Sequence, residues 1–336
     1  MRKKQDFSNK QVAIVGIGRN GSRLAELLLK LKINKLRLID GDVLEKSDCG
    51  KQCPLFLKSK TLISKSNEAA RILSDKYKQA EISYNTDNLN YINGERLLEN
   101  CELICDCTDN WLSRNTINFL INKKNSKLKS KYWIYCGALK QIAMVSTLQR
   151  GKTPCWQCWN SSKEIDCQSC SVVGYDVKAG DKITKLVSEE VVRILKNKQP
   201  KFLFNLIVYN SEFNKLNLMK LESSARCELC KGKDNYFSKR NVQKKEKRIS
   251  TLCGNNQYQI TNGNLALDFN KLEKTIKKNN GKIVDNVAIF DIDKKSQAVV
   301  FSNARMLIRS FDSRQAEKIN DTLMKIFKRG KGVAPL

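Results

Sequence analysis

The chain reads as an α/β protein with a mostly parallel sheet, helices on both faces, and a small α+β unit at its end. Three observations predict this. Over roughly the first two thirds, short apolar runs alternate with segments of helical period. The first run, QVAIV, meets the glycine pattern Gly16, Gly18 and Gly21, and the second, LRLI, ends at Asp40. That is the order of a Rossmann-like βαβ unit. Finally, a polar, basic stretch, SKRNVQKKEKR, separates this texture from a shorter run of strands and helices.

Taken in order, QVAIV is a short apolar run bounded by glycine, which predicts a buried parallel strand. After Gly21, Leu24, Leu27, Leu28 and Leu31 recur at i, i+3, i+4 and i+7, one face of a helix. Leu36 to Ile39 is the second strand. LISKSNEAARILSDKY follows as a helix, EISYNTDNL as a strand and ERLLEN as a short helix. CELICDCTDN reads as a strand with its acid at the carboxyl end, and WIYCGALKQIAMVSTLQ as two successive strands. After the cysteine-rich TPCWQCWNSSKEIDCQSC comes a long helix to about Lys196, then strands in FLFNLIVYNSEFNKLNLMKL. Beyond the basic stretch, a strand near YQIT, a helix over FNKLEKTIKKN, and strands at VAIFDI and AVVF…MLIRSF precede a closing helix. That helix sets Ile319, Leu323, Ile326 and Phe327 on one face. The predicted division is residues 1–235, a linker over 236–250, and a second domain over 251–336.

Composition narrows the function. The 336 residues are 41% apolar and 29% charged, which suits a globular protein with a main core and a smaller one. No apolar run is long enough for a bilayer and the basic N-terminus lacks a signal-peptide core, so a cytoplasmic location and no membrane partner are expected. The net charge of +28 admits nucleic acid. The excess is spread along the chain without aromatic interleaving, so nucleic acid is possible but not favoured, and acidic partners such as ATP are attracted either way. Thirteen cysteines argue against a disulfide framework, and the absence of histidine excludes His-dependent triads and His metal ligands.

A glycine loop lets a phosphate approach the backbone at a helix start, and an acid closing the second strand accepts from a ribose hydroxyl. Alone, this fits NAD, FAD or ATP. Asp40 is followed by GDVLEKSDCGKQCPLF, by Lys65 and by DCTDN at 106–110. A nicotinamide needs none of these, whereas a nucleoside triphosphate needs cations for its phosphates and a strand-end carboxylate for Mg²⁺.

The segments VGIGRNGS, LIDGDVLEKSD…KQ, KSNEAARI, DCTDNWLSRNTIN, CGALKQIAMVST, PCWQCW and CELC run in one order from residue 11 to about 231. In this they resemble the ThiF/MoeB/HesA adenylyltransferases, relatives of ubiquitin-activating enzymes. The part from STLCGNNQYQI onward is similar to a C-terminal extension of some prokaryotic members. The resemblance implies adenylation of the C-terminal glycine of a small ubiquitin-like (β-grasp, ThiS/MoaD-type) protein ending in Gly-Gly. Pyrophosphate is released, and the product serves sulfur transfer or conjugation. It also implies a homodimer, and a separate sulfur-donor protein, since no rhodanese domain is recognised.

Residue by residue, the resemblance implies that Asp40 contacts the ribose and that Gly16, Gly18 and Gly21 shape the loop. Ser47 and Asp48 fall where the family has a Ser-Asn pair at the nucleotide. Lys51 replaces an arginine, Lys65 matches the phosphate-binding lysine, and Asp109 matches the Mg²⁺ ligand, with Asn110 beside it. The other reading of Asp109 is a helix N-cap. Arg19 stands where the family has a third glycine and either supplies charge or crowds the nucleotide. Asp48 adds a negative charge that Mg²⁺ or Arg19 is expected to offset. Only about ten residues precede the first strand, so Arg2 alone is left to reach a partner subunit's ATP. Two other classes therefore stay open: a non-catalytic nucleotide- or β-grasp-binding relative, and an RNA-associated zinc protein.

Cys155 and Cys158, with Cys227 and Cys230, form two CxxC pairs, a pattern expected to hold one tetrahedral structural Zn²⁺, with redox pairs or chance as alternatives. Cys167 and Cys170 form a third pair. By resemblance Cys170 aligns with a cysteine that in some members receives the acyl group or a persulfide; an inert thiol or a further zinc ligand are the alternatives. Cys49, Cys53, Cys101, Cys105, Cys107 and Cys136 are expected to be core thiols. The sequence suggests no role for Cys253.

Overall fold

The computed structural model describes residues 7, 9–51, 53–123, 125–160, 176–225, 227, 229–230, 247–252, 256–262, 265–284 and 287–335. They belong to two compact units, Met1–Lys239 and Arg240–Leu336.

The first unit is built on an eight-stranded sheet. Five parallel strands come first: β1 (Val12–Val15), β2 (Lys35–Ile39), β3 (Glu81–Asn85), β4 (Leu103–Asp106) and β5 (Tyr132–Leu139). β6 (Ile142–Gln149), β7 (Asn205–Asn210) and β8 (Lys215–Lys220) extend it antiparallel, giving the order β3-β2-β1-β4-β5-β6-β7-β8. The helices are α1 (Arg19–Lys30), α2 (Lys65–Lys76), α3 (Gly94–Leu98), α4 (Trp111–Asn122), the single turn α5 (Trp156–Trp159) and α6 (Val177–Leu195).

Every residue of β1 is buried because the sheet is covered on both sides. Val12 and Ile14 point to a core with Leu24 and Leu28 of α1, Leu73 of α2 and Ile183 and Val187 of α6. Ala13 and Val15 point to a second core with Leu97 of α3 and Ile117 and Leu120 of α4. The two-residue period of the strand thus divides neighbouring residues between faces. The apolar stripe read in α1 is the one buried here, including Leu24, Ala25, Leu28 and Leu29.

Glu190 of α6, fully buried, ties the helix to the sheet. Its carboxylate accepts from Thr147 Oγ1 of β6 at 2.7 Å and from the backbone N–H groups of Lys201 and Phe202, each at 2.9 Å. The segment leading into β7 is thereby fixed against β6.

The second unit is an antiparallel sheet of order β12-β13-β14-β15-β10-β9, with a two-stranded ladder β11-β16. Its strands are β9 (Lys247–Leu252), β10 (Gln257–Asn262), β11 (Leu265–Leu267), β12 (Gly281–Val284), β13 (Val287–Asp291), β14 (Gln297–Phe301), β15 (Met306–Arg309) and β16 (Val333–Pro335). Two helices, α7 (Phe269–Lys278) and α8 (Ser313–Arg329), pack Leu272, Ile276, Leu323 and Phe327 against Ile260, Phe290, Val300 and Ile308. Ile319 is buried with them and Ile326 packs at the edge of this core.

One boundary needs correction. The linker expected over 236–250 lies outside the described residues as far as 246, but residues 247–250 are the start of β9, hydrogen-bonded to β10. Lys247 and Arg248 made this stretch read as linker, whereas its backbone pairs with β10, Lys247 opposite Asn262 and Arg248 opposite Thr261.

Candidate functional site

The glycine loop joins β1 to α1 at the carboxyl ends of the parallel strands, where ligands bind in open α/β sheets. Its three glycines have different reasons. Gly16 has φ +85°, and a Cβ there would lie 2.9 Å from the backbone of Cys107 and Thr108. A Cβ on Gly21 would lie 1.9 Å from the Gly16 carbonyl oxygen. Both are required by the fold alone. Gly18 differs: a Cβ there meets nothing within 4 Å. It stands at the N-cap of α1, with open space before it.

That N-terminus is unusual in this chain. Ser64, Asn110, Asp176, Asp268 and Asp312 cap α2, α4, α6, α7 and α8 through their side chains. Among the described helices of ten residues or more, only α1 has no side-chain cap, and its first turn carries no acid. The positive end of a helix dipole favours an anion.

Asp40, just past β2, turns back onto the loop. One carboxylate oxygen accepts from the Ile17 N–H at 2.5 Å and the other from the Asp42 N–H at 2.8 Å. Burial, then the charge of Asp42, push its pKa up to about 6. Ser66 Oγ of α2 donates to the carbonyls of Asp40 and Asn85, holding the ends of β2 and β3 together.

Lys65 opens α2, its backbone N–H bonded to the Asp42 carbonyl at 2.9 Å. Its ammonium lies 3.2 Å from Asp48, both side chains largely buried. Burial opposes the charge, but Asp42, Asp48 and Asp40 outweigh it and hold Lys65 protonated, above its ordinary value. The charge of Asp48 is therefore offset by Lys65, where Mg²⁺ or Arg19 was expected. The long connection between them brings the two residues together, which spacing alone does not disclose. Ser47 and Lys51 sit exposed on the turns flanking Asp48, and Arg19 is half-buried as the first residue of α1.

The DCTDN segment divides its labour. Asp106, fully buried at the end of β4, accepts from Thr108 N–H at 2.9 Å and Thr108 Oγ1 at 2.7 Å, and so shapes the turn. Burial raises its pKa against the pull of Arg114. Asn110 caps α4 by accepting from Ser113 N–H at 2.8 Å. The capping alternative for Asp109 is thus filled by its neighbour. Asp109 is exposed, and no hydrogen bond to its carboxylate is found among the described residues. Arg114, which sequence reading passed over inside DCTDNWLSRNTIN, donates to the Thr108 carbonyl and stacks 4.9 Å from the Tyr135 ring centre. It holds the turn that presents Asp109. Its only signal was its place four residues after the Asn110 cap, on the inward side of α4.

The two CxxC pairs meet. The four sulfurs of Cys155, Cys158, Cys227 and Cys230 lie within 4.8 Å of one another. Cys155 is 3.8 Å from Cys158 and 3.4 Å from Cys227, and Cys158 is 3.4 Å from Cys230. Thiolates bound tetrahedrally at about 2.3 Å would stand about 3.8 Å apart, so the set fits one metal ion with little adjustment. Hydrogen bonds that Cys155 and Cys158 share with each other and with Cys230 push the Cys155 thiol up and the Cys158 thiol down.

Cys53, Cys101, Cys105 and Cys136 are buried, and Cys49 and Cys107 half-buried. Burial pushes Cys101 up to about 11. Arg2, Cys167, Cys170 and Cys253 lie outside the described residues. No described helix is long and apolar enough to cross a membrane.

Comparison with known proteins bears on the family and the fold. The chain is 24% identical over 274 residues to the adenylyltransferase and sulfurtransferase UBA4 of Eremothecium gossypii, covering 78% of this chain and 59% of that one. It is 22% identical over 253 residues to the sulfur carrier protein ThiS adenylyltransferase of Bacillus subtilis, covering 74% and 72%. The chain thus spans about three fifths of the first relative. The solved structure of E. coli MccB with ATP matches with a TM-score of 0.56 at 20% identity, over 67% of this chain and 68% of that one, a likeness of fold. The ThiF family model matches residues 1–231, and the chain belongs to the ThiF family.

Proposed function

We propose that this protein adenylates the C-terminal carboxylate of a small ubiquitin-like, β-grasp protein ending in Gly-Gly, using ATP and releasing pyrophosphate. The observation that carries the reading is the N-terminus of α1, which no side chain caps and where Gly18 meets open space; Lys65 and Asp109 are proposed to complete the site around it. The names of the relatives support it.

In this reading Asp40 accepts from the ribose, each of its oxygens keeping a lone pair beyond the backbone N–H it already holds. The loop at Gly16, Gly18 and Gly21 and the start of α1 receive the phosphates, with Arg19, Lys51 and Lys65 supplying positive charge near Ser47 and Asp48. Asp109, beside Asn110, would hold Mg²⁺, which neutralises phosphate charge when bound. The partner's carboxylate oxygen bonds to the α-phosphorus as the bond to the bridging oxygen breaks, and the electron pair leaves with pyrophosphate. The nucleophile is already ionised, so no general base is required. Positioning and charge stabilisation do the work, and a chain without histidine is suited to it.

The donor set of the cysteine cluster, four thiolates with no open position, points to structural Zn²⁺. We assign adenylation to residues 1–235 and propose a cytoplasmic homodimer, with sulfur, where needed, coming from a separate donor protein. Cys170 is proposed as acceptor of the activated acyl group, its thiolate sulfur bonding to the acyl carbon as the acyl–oxygen bond to phosphate breaks and AMP leaves.

ATP–pyrophosphate exchange tests the proposal, with Mg²⁺ and candidate Gly-Gly-ending β-grasp proteins added singly. Exchange should depend on one partner and fall at least a hundredfold in Asp109→Ala. ATP binding without exchange for any partner would leave a binding protein instead.

A further inference from the structure

At the amino-terminal ends of the parallel strands, opposite the glycine loop, the first unit carries a cavity of about 680 Å³. Residues entering β5, the end of β6 and the segment after α6 form its wall. Lysine dominates there. Lys10 is engaged with the Leu195 carbonyl at 2.6 Å, and Lys129 neutralises Glu102, the wall's one acid, at 2.5 Å. Lys131, Lys152 and Lys198 are exposed, and no ion pair or side-chain hydrogen bond engages them among the described residues.

The same wall holds a strained aromatic. Phe204 has φ +61° and is 43% exposed. A bulky L-residue enters the left-handed region only when its surroundings force it. Here they do. Glu190 grips the N–H groups of Lys201 and Phe202, the Phe202 carbonyl accepts from Thr147 N–H at 3.2 Å, and the Phe204 carbonyl accepts from Leu221 N–H at 2.7 Å. A buried carboxylate and two strands thus hold the backbone that turns an apolar ring towards solvent at the mouth of a cationic cavity. Packing does not account for a ring that remains so exposed.

We propose that this cavity binds a nucleotide unit, its base against Phe204 and Tyr132 and its phosphate among Lys131, Lys152 and Lys198. An aromatic platform beside free lysines is the arrangement that holds single-stranded nucleic acid, and the +28 charge of the chain draws polyanions toward it. The unit is either one residue of an RNA strand or a free nucleotide; the chemistry recognised is the same. This site is separate from the proposed adenylation site and does not depend on it.

The test uses the full chain, a fluorescein-labelled decauridylate RNA followed by anisotropy across a salt series, and unlabelled UMP as competitor. Lys131→Ser/Lys152→Ser/Lys198→Ser should weaken RNA binding at least tenfold and flatten the slope of log K against log salt by about 0.7, the contribution of the one single-strand phosphate they hold. Phe204→Gly removes the ring at a φ that glycine accepts, so the melting temperature should hold or rise while affinity falls about fivefold or more with the salt slope unchanged. Competition by UMP at matched nucleotide concentration identifies a free nucleotide as the ligand; RNA binding without it identifies a strand. Absence of binding by both probes, or equal binding by wild type and both variants, overturns the site. ATP–pyrophosphate exchange should be unaltered in both variants, so either proposal can fail without the other.

Discussion

At the scale of single residues, the glycine loop separates constraint by the fold from constraint by a ligand. Gly21→Ala forces a Cβ against the Gly16 carbonyl, and should cost more than about 3 kcal/mol in chemical denaturation, since backbone has nowhere to go. Gly18→Ala meets open space and should change stability by less than about 1 kcal/mol while weakening ATP at least tenfold in a binding titration. Asp40 makes a further prediction. Its pKa is raised on folding from its ordinary value to about 6, so the folded form favours the protonated acid. The associated stability is present below about pH 4 and lost as the pH rises through 6. Asp40→Asn should therefore match wild type near pH 4 and exceed it by about 1–3 kcal/mol at pH 8 in urea unfolding of the nucleotide-free protein. Some of this scale was legible: the glycine pattern and the acid closing β2 marked the loop that Gly16 and Gly21 permit and Asp40 bonds. The Lys65–Asp48 pair, the buried Glu190 and the left-handed Phe204 were not. The pair depends on how a long connection folds, Glu190 has the same spelling as any solvated acid on a helix, and φ leaves no mark in the residue type.

At the scale of elements, helices and parallel strands were readable because their apolar periods are long and both faces of the sheet are covered. α1 and α6 announce themselves through leucine, isoleucine and valine spacing, and β1 through an unbroken apolar run. β9 was missed because a charged edge strand has the composition of a linker. The short β11, β12 and β16 carry too few residues to show a period. The cysteine pairs were legible as a spacing, and their meeting depends on β7 and β8 returning the chain beside α5. Cys227→Ser would leave three thiolates for the proposed Zn²⁺ and should destabilise the first unit by on the order of 3 kcal/mol. A strong chelator should lower the melting temperature of wild type while leaving that of the variant far less affected, as calorimetry would show.

At the scale of the molecule, each of the two units has a hydrophobic core of its own among the described residues. Heat denaturation should resolve into two transitions, of which only one responds to chelation. A fragment of residues 247–336 should fold by itself, with dispersed amide resonances and a cooperative melt; a fragment that stays unfolded would show that the smaller unit leans on the larger. Its core holds Phe290, Phe301, Met306, Ile308 and Phe327, large enough for independent stability at this length.

The ion pair of Lys65 with Asp48 has a kinetic meaning for the proposed reaction. The lysine already owns an internal anion, so an arriving nucleotide competes for it and succeeds in proportion to its own negative charge. Were Lys65 to hold the phosphates as proposed, a triphosphate would compete for it strongly. After pyrophosphate departs, the acyl-linked monophosphate would carry less charge and Asp48 would regain the cation. The pair would then favour substrate over product with no motion of the sheet.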